Sequence, residues 1–188
     1  MGQVIAQKNT PPAIAASSQG SQQYLTFTLN AEVFAIGILN IKEIIEYGTL
    51  TEIPMMPAFI RGVINLRGAV VPVVDLSARF GGKPTAAARR TCIVIVEINQ
   101  TVDDVDLRQD IGIVVDSVNE VLEIPPGDIE PPPSFGARIR ADFIQGMGKV
   151  DGRFVIILNI DRVLSVDEMA QLAAVGGQVG PQDEEQGS

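Results

Sequence analysis

The 188-residue chain contains no histidine, no tryptophan and a single cysteine. Histidine is the commonest general acid–base residue and the commonest metal ligand. Its absence weakens the case for an enzyme, and no cofactor or metal is implied. One cysteine excludes an intramolecular disulfide and suits a reducing compartment. Cys92 lies in the apolar run Thr91-Cys92-Ile93-Val94-Ile95-Val96 and reads as a small buried hydrophobe rather than a reactive thiol. Aromatic residues make up only 5%, so the core has to be aliphatic and a base-stacking platform has little to be built from. No run approaches the ~20 apolar residues that span a bilayer, and residues 1–21 lack the basic start and apolar centre of a secretory leader. Basic residues are outnumbered, 14 against 23 acidic, for a net charge of −9. That balance argues against nucleic acid or an anionic membrane as the main partner, although an acidic tail carries part of it. The expectation is a soluble, cytoplasmic protein.

What the chain has in quantity is Val and Ile, within a hydrophobic content of 46% that suffices for a sizeable core. It also has an internal repeat. Phe59-Ile60-Arg61-Gly62 through Leu76 returns 84 positions later as Phe143-Ile144-Gln145-Gly146 through Ile160, with Phe59/143, Ile60/144, Gly62/146, Gly68/152 and Val71/155 identical and no gap. Upstream, Ile36-Gly37-Ile38 matches Ile111-Gly112-Ile113. Ile41-Lys42-Glu43-Ile44-Ile45-Glu46 matches Val118-Asn119-Glu120-Val121-Leu122-Glu123. Such a repeat implies one small all-β unit built twice, marginal alone and steadier as a pair.

The first copy reads as five strands: Tyr24–Leu29, Val33–Ile38, a turn leading into Glu43–Tyr47, Phe59–Asn65 and Val70–Leu76, with a hairpin turn at Asn30-Ala31-Glu32. The second has Thr91–Ile98, a polar hairpin tip, Ile111–Val115, Glu120–Ile124, a proline-rich loop, Phe143–Lys149 and Arg153–Ile160. Short, evenly spaced strands point to small barrels, one over about 22–80 and one over about 88–163, joined through Gly81-Gly82-Lys83-Pro84. Residues 1–21 read as a disordered leader and 176–188 as a disordered acidic tail. Ser165-Val166-Asp167-Glu168 has capping-box spacing and opens a short terminal helix over about 165–174. Val70–Val74, Cys92–Val96 and Ile111–Val115 are apolar nearly throughout, so some outer strand faces are covered by the sister barrel or a partner. Pro72 has no N–H for a ladder and marks an edge or a bulge.

Four motif fragments carry no chemistry. Gly146-x-Gly148-x-x-x-Gly152 has the wrong spacing for a dinucleotide loop, and Gly81-Gly82-Lys83 has Pro84 where a phosphate loop needs Ser or Thr. Asp103-Asp104-x-Asp106 lacks the glycine and closing glutamate of a calcium loop. Val73-Val74-Asp75-Leu76-Ser77 has only Asn159 at its repeat position, so no second carboxylate exists for an aspartic dyad. The divergences between copies say more. The second copy turns at Asp151-Gly152, a favoured tight-hairpin pair, whereas the first has Arg67-Gly68. Arginine there is either a solvated surface residue or a guanidinium held out for a carboxylate on a partner. Glu43 and Glu120, shared by both copies, are structural or partner-contacting. Arg61 against Gln145 adds positive charge to the first unit.

Asn65-Leu66-Arg67-Gly68, preceded by Phe59 to Ile64 and followed by Val70 to Leu76, resembles the bacterial chemotaxis coupling-protein family, CheW. Ile41 to Ile45, Ile111 to Asp116 and Phe143 to Gly146 match further blocks in order, and the resemblance covers about residues 22–170. It implies an all-β fold of two five-stranded SH3-like barrels packed on a shared core. It also implies a non-catalytic adaptor that couples the cytoplasmic tip of methyl-accepting chemoreceptors to the regulatory domain of the chemotaxis histidine kinase, at membrane-associated receptor arrays. On that resemblance Arg67 and Glu43, with Val118 and Val121, are receptor-binding candidates. Ile41, Ile44, Phe59, Arg61 and Gly62 are candidates for the kinase surface. The alternative within the fold is a coupling module of a related chemosensory pathway or of a receiver-fused protein. A small-barrel nucleic-acid binder, from another class, is opposed by charge and aromatic content.

Overall fold

Eleven strands and two four-residue helices occupy residues 20–133 and 139–165, the residues the computed structural model describes. In chain order they are β1 (Gln22–Leu29), β2 (Glu32–Gly37), β3 (Ile41–Glu46), β4 (Ile60–Leu66), β5 (Ala69–Asp75) and α1 (Leu76–Arg79). Then follow β6 (Cys92–Val102), β7 (Val105–Val115), β8 (Ser117–Ile124), β9 (Ile129–Glu130), β10 (Ile144–Val150), β11 (Arg153–Leu158) and α2 (Ile160–Val163). Four hairpins, β1–β2, β4–β5, β6–β7 and β10–β11, turn on two consecutive left-handed residues. These are Asn30 and Ala31, Arg67 and Gly68, Asp103 and Asp104, and Asp151 and Gly152. The mirror-image twist of such turns matches the right-handed twist of the strands they join.

Hydrogen bonding sorts the strands into two sheets, ordered β8-β1-β2-β11-β10-β9 and β3-β6-β7-β5-β4. Each curls until its ends approach. In the five-stranded sheet the chain leaving β3 forms a reciprocal pair of backbone bonds between Thr51 and Val63 on β4, both 2.9 Å. In the six-stranded sheet the end of β8 turns through Pro126–Asp128 into β9, which pairs with β10 at Met147 and Gly148. The chain is therefore an all-β pair of barrels, as expected. The proline-rich loop contains one strand the sequence did not announce.

The division between the barrels differs from the expected break near residue 80. The β1–β2 hairpin belongs with β8 to β11, joined by the parallel β2–β11 pair, and the β6–β7 hairpin belongs with β3 to β5, joined by the parallel β5–β7 pair. Each repeat unit thus lends its first hairpin to the other's barrel. Pairing preference between equivalent strands is nearly equal by symmetry, so linear order carries no information about which copy a hairpin joins.

That exchange explains the apolar runs. Ile93, Ile95 and Val114 point into the five-stranded barrel with Val71 and Val73, whereas Val94, Val96, Ile111, Ile113 and Val115 point into the core shared by both barrels. Leu25, Phe27, Phe34, Phe59, Phe143 and Leu158 complete that shared core, and Tyr24, Ala35, Ile124, Val155 and Ile157 fill the six-stranded barrel. Both faces of the central strands are dry, as in parallel sheets covered on two sides. Pro72 falls where β5 pairs only with β4, one residue before the β7 ladder begins at Val73, so its missing N–H leaves no gap. The hairpin tip after Ile98 is shorter than expected: the polar residues continue β6 and β7 to Val102 and Val105. Short helices after β5 and β11 were unannounced. Asp75 and Asn159 cap them by accepting from the Ala78 and Arg162 backbone N–H groups. The expected terminal helix lies, except for Ser165, outside the described residues, as do residues 1–19 and the tail.

Candidate functional site

The end strand β3 and the β4–β5 turn come from opposite ends of one sheet and meet because the sheet closes. Along β3 exposure alternates: Lys42, Ile44 and Glu46 face outward, while Ile45 turns into the barrel interior. A bulge between Ile41 and Glu43 resets the register at the rim. From there Glu43 accepts two hydrogen bonds from Arg67, at 2.5 Å from Nη1 and 3.1 Å from Nη2. Arg67 is 76% exposed along its side chain, against 26% for Glu43. Hydrogen bonding to the carboxylate, then its charge, raises the arginine pKa above the ordinary value.

Arg67 has φ 53° and its repeat partner Asp151 has φ 49°. An arginine therefore occupies a left-handed position that Asp or Asn tolerates better. The turn is held by Asn65, whose Oδ1 accepts from the Gly68 backbone N–H at 2.9 Å. The two residues singled out separately, Glu43 and Arg67, are thus brought together as one forked pair on a rigid turn. Beside them Lys42 binds Asp110 at 3.0 Å and approaches Glu97 at 3.7 Å, tying β3 to the β6–β7 hairpin. Its ammonium pKa is raised, first by the hydrogen bond to Asp110. The sequence reading missed Lys42, because only the β3–β6–β7 register places these charges together.

The remaining candidates divide by burial. Ile44 and its repeat partner Val121 are exposed, at 43% and 46%, on the end strands of the two sheets. Ile41 and its partner Val118 are half-buried against the shared core. Phe59 is 8% exposed and belongs to that core, with the Arg79 guanidinium 5.2 Å above its ring, so it is no surface contact. Gly62 is buried at φ 144°, and a Cβ there would sit 2.3 Å from the Thr51 carbonyl oxygen. It is the close approach that lets the barrel shut.

Arg61 is also engaged inside the chain. Its Nη1 donates to Asp75 Oδ2 at 3.2 Å and to the Thr85 carbonyl at 3.0 Å, and its Nη2 donates to the Tyr47 hydroxyl at 2.7 Å. Asp75 is fully buried and accepts further from the Thr85 N–H and hydroxyl. The positive charge that distinguishes the first unit is therefore matched by Asp75, where the second unit has the neutral pair Gln145 and Asn159. A fully buried carboxylate needs such partners. Phe59 and Gly62 are buried and Arg61 is largely engaged within the chain, so all three shape the barrel. Reading Asp75/Asn159 beside Arg61/Gln145 in the repeat was the signal that finds this pair.

Among the described residues no cluster of three or more Cys, Asp or Glu side chains is placed to hold a metal, and no helix is long and apolar enough to cross a membrane. Barrels that exchange hairpins, one exposed aliphatic residue on an end strand of each sheet (Ile44 and Val121) and the exposed Arg67–Glu43 fork together define a double-barrel module. The chain matches the CheW-like domain over residues 23–168 and belongs to that family. It is 36% identical over 149 residues to chemotaxis protein CheW of Klebsiella aerogenes, covering 79% of this chain and 85% of that one. It is 30% identical over 164 residues to protein FrzA of Myxococcus xanthus, covering 86% of this chain and 96% of that one. The crystal structure of the scaffolding protein TtCheW from Thermoanaerobacter tengcongensis superposes with a TM-score of 0.66 at 34% identity, covering 76% of this chain and 86% of that one.

Proposed function

We propose that the chain is a non-catalytic adaptor that couples the cytoplasmic tip of chemoreceptors to the regulatory domain of the chemotaxis histidine kinase. The observation that carries the reading is the Arg67–Glu43 pair: an arginine kept on a turn whose left-handed backbone favours other residues, with three quarters of its side chain exposed. A guanidinium fixed by a carboxylate loses little freedom when it meets a further acceptor, and planar forks of this kind recur at interface hot spots. Receptor contacts are assigned to Arg67, Glu43 and Val121, and kinase contacts to Ile44, with Ile41 and Val118 supporting the two end strands from below. Phe59, Arg61 and Gly62 act indirectly, by holding β4 and the Tyr47–Ala58 segment in place.

Arg67→Glu reverses the charge next to Glu43 while removing no buried contact. Its thermal midpoint stays near that of the parent, because exposed ion pairs add little stability, while receptor-dependent activation of the kinase falls. Activation equal to the parent in a reconstituted receptor–kinase assay, with the variant folded, would remove Arg67 from the interface. A pull-down against receptor tips and the kinase regulatory domain separately divides the two sets of residues. A second reading differs at the level of pathway alone and is compatible with the FrzA match: the same coupling surface serving a related chemosensory pathway.

A further inference from the structure

The outer part of the β6–β7 hairpin stands clear of its sheet. The β3 ladder on β6 ends at Val96 and the β5 ladder on β7 begins at Gly112, so farther out β6 and β7 pair only with each other, to Val102 and Val105. The two-residue turn at Asp103 and Asp104 makes Val102 and Val105 a hydrogen-bonded pair. Alternation then aims the backbone groups of Leu107 and Gln109 at β6, and those of Asp106 and Arg108 away from it. Asn99, paired with Arg108, shows the same parity on the other edge, where its N–H reaches Asp161 Oδ1 at 3.4 Å. Along residues 105–109 the β7 edge has no ladder partner among the described residues. All five are exposed, Val105 at 55% and Leu107 at 49%. An exposed strand edge is a template for one more strand.

Charge order along this edge selects what can pair with it. Edge charges discourage pairing when like meets like, but Val105-Asp106-Leu107-Arg108-Gln109 carries one of each sign, placed evenly about Leu107. A second copy related by a twofold axis at Leu107 sets Asp106 against Arg108 and Arg108 against Asp106, with Leu107 beside itself and Val105 beside Gln109. The outward backbone groups of Asp106 and Arg108 then bond one another, as an antiparallel ladder requires. Arg108 makes no side-chain hydrogen bond or ion pair among the described residues. Neighbouring axes fail. At Asp106 or Arg108 a charge faces itself, and at Gln109 the new strand meets Gly112, where β5 is already bound. At the ends Asp104 faces Asp110, whose charge Lys42 offsets at 3.0 Å.

We propose that the β7 edge over residues 105–109 is a self-association site: it takes the same edge of a second copy of this chain, antiparallel about Leu107, and joins two five-stranded sheets into one. The full chain then stands in a monomer–dimer equilibrium, read by sedimentation velocity at concentrations up to about 1 mM, since so small a contact binds weakly. Asp106→Arg and Arg108→Asp each set like charges opposite one another and weaken the dimer about tenfold. Mixed in equal amounts, the two variants again oppose unlike charges and recover the dimer as a mixed species. A merely structural role for either residue predicts no such recovery. Both variants keep the parent's thermal midpoint to within about 2 °C, because the side chains are exposed and only the surface hydrogen bond from Thr101 to Asp106 is lost. A parent that is monomeric at about 1 mM, leaving the edge to a strand of another protein, overturns the proposal. So does a dimer that either charge change leaves intact, or a mixture of the two variants that stays monomeric.

Discussion

At the end of one hairpin the capping residue Asp75 is charged and paired with Arg61, whereas at the matched place the capping residue Asn159 is neutral and Gln145 is exposed. The Arg61–Asp75 pair differs from the surface fork at Arg67 in what its loss leaves behind. Arg61→Gln strands a fully buried carboxylate whose remaining partners are Thr85 and the Ala78 N–H. The expected cost is about 2–3 kcal/mol in urea unfolding, below the range for a fully buried pair because the Arg61 side chain is 20% exposed. Adding Asp75→Asn, which copies the second unit, recovers most of it; no recovery would mean that Arg61 acts through Tyr47 and Thr85 instead. Cys92 offers a pH readout at the same scale. Burial first, and then the Glu46 carboxylate, raise its pKa above the usual thiol value, so the thiol stays protonated at pH values where a free cysteine begins to ionise. Alkylation therefore sets in at higher pH than for a free thiol, and Glu46→Gln moves the profile part of the way back. That Arg67 was worth isolating was legible from the repeat. That Glu43 is its partner was not, because 24 residues separate them and only barrel closure joins them.

Closure rests on single residues at matched places. Gly62 admits the Thr51 strand and Gly146 admits β9, where an added Cβ would meet Ile129 Cγ2 at 2.6 Å. Gly62→Ala meets backbone rather than a movable side chain, at a φ that other residues rarely adopt, and is expected to cost about 3–4 kcal/mol. Gly68→Ala, also at positive φ but with open space around it, costs about 1 kcal/mol. Equal losses for the two in denaturant melts would show that conformation alone, not the approach of Thr51, dictates glycine at residue 62. Most strands were legible, since period-two and all-apolar runs with Gly and Pro between them mark β structure strongly. The misses are physical. β9 is two residues long, too short for a periodic signal. The outer halves of β6 and β7 extend beyond the core and carry mostly polar residues, so they read as a loop.

For the whole molecule, the exchanged hairpins make the two repeat units inseparable. Residues 22–80 and 88–163, expressed apart, each lack two strands of their barrel and expose the apolar faces of the shared core. Neither is expected to give dispersed amide resonances alone, while an equimolar mixture regains them. A folded 22–80 fragment would show instead that a hairpin can pair within its own unit. The amino-acid sequence by itself determined the all-β class, the twofold repeat, the residues that turn each hairpin and the one turn that departs from its twin. These follow from side-chain period, backbone preference and self-comparison, all local quantities. Tertiary structure alone decided which hairpin joins which barrel, that Phe59 and Gly62 are buried while Arg61 binds Asp75, and that Glu43 holds Arg67. Those outcomes depend on contacts between segments far apart in the chain, where two equivalent partners compete and only the closed barrels distinguish them.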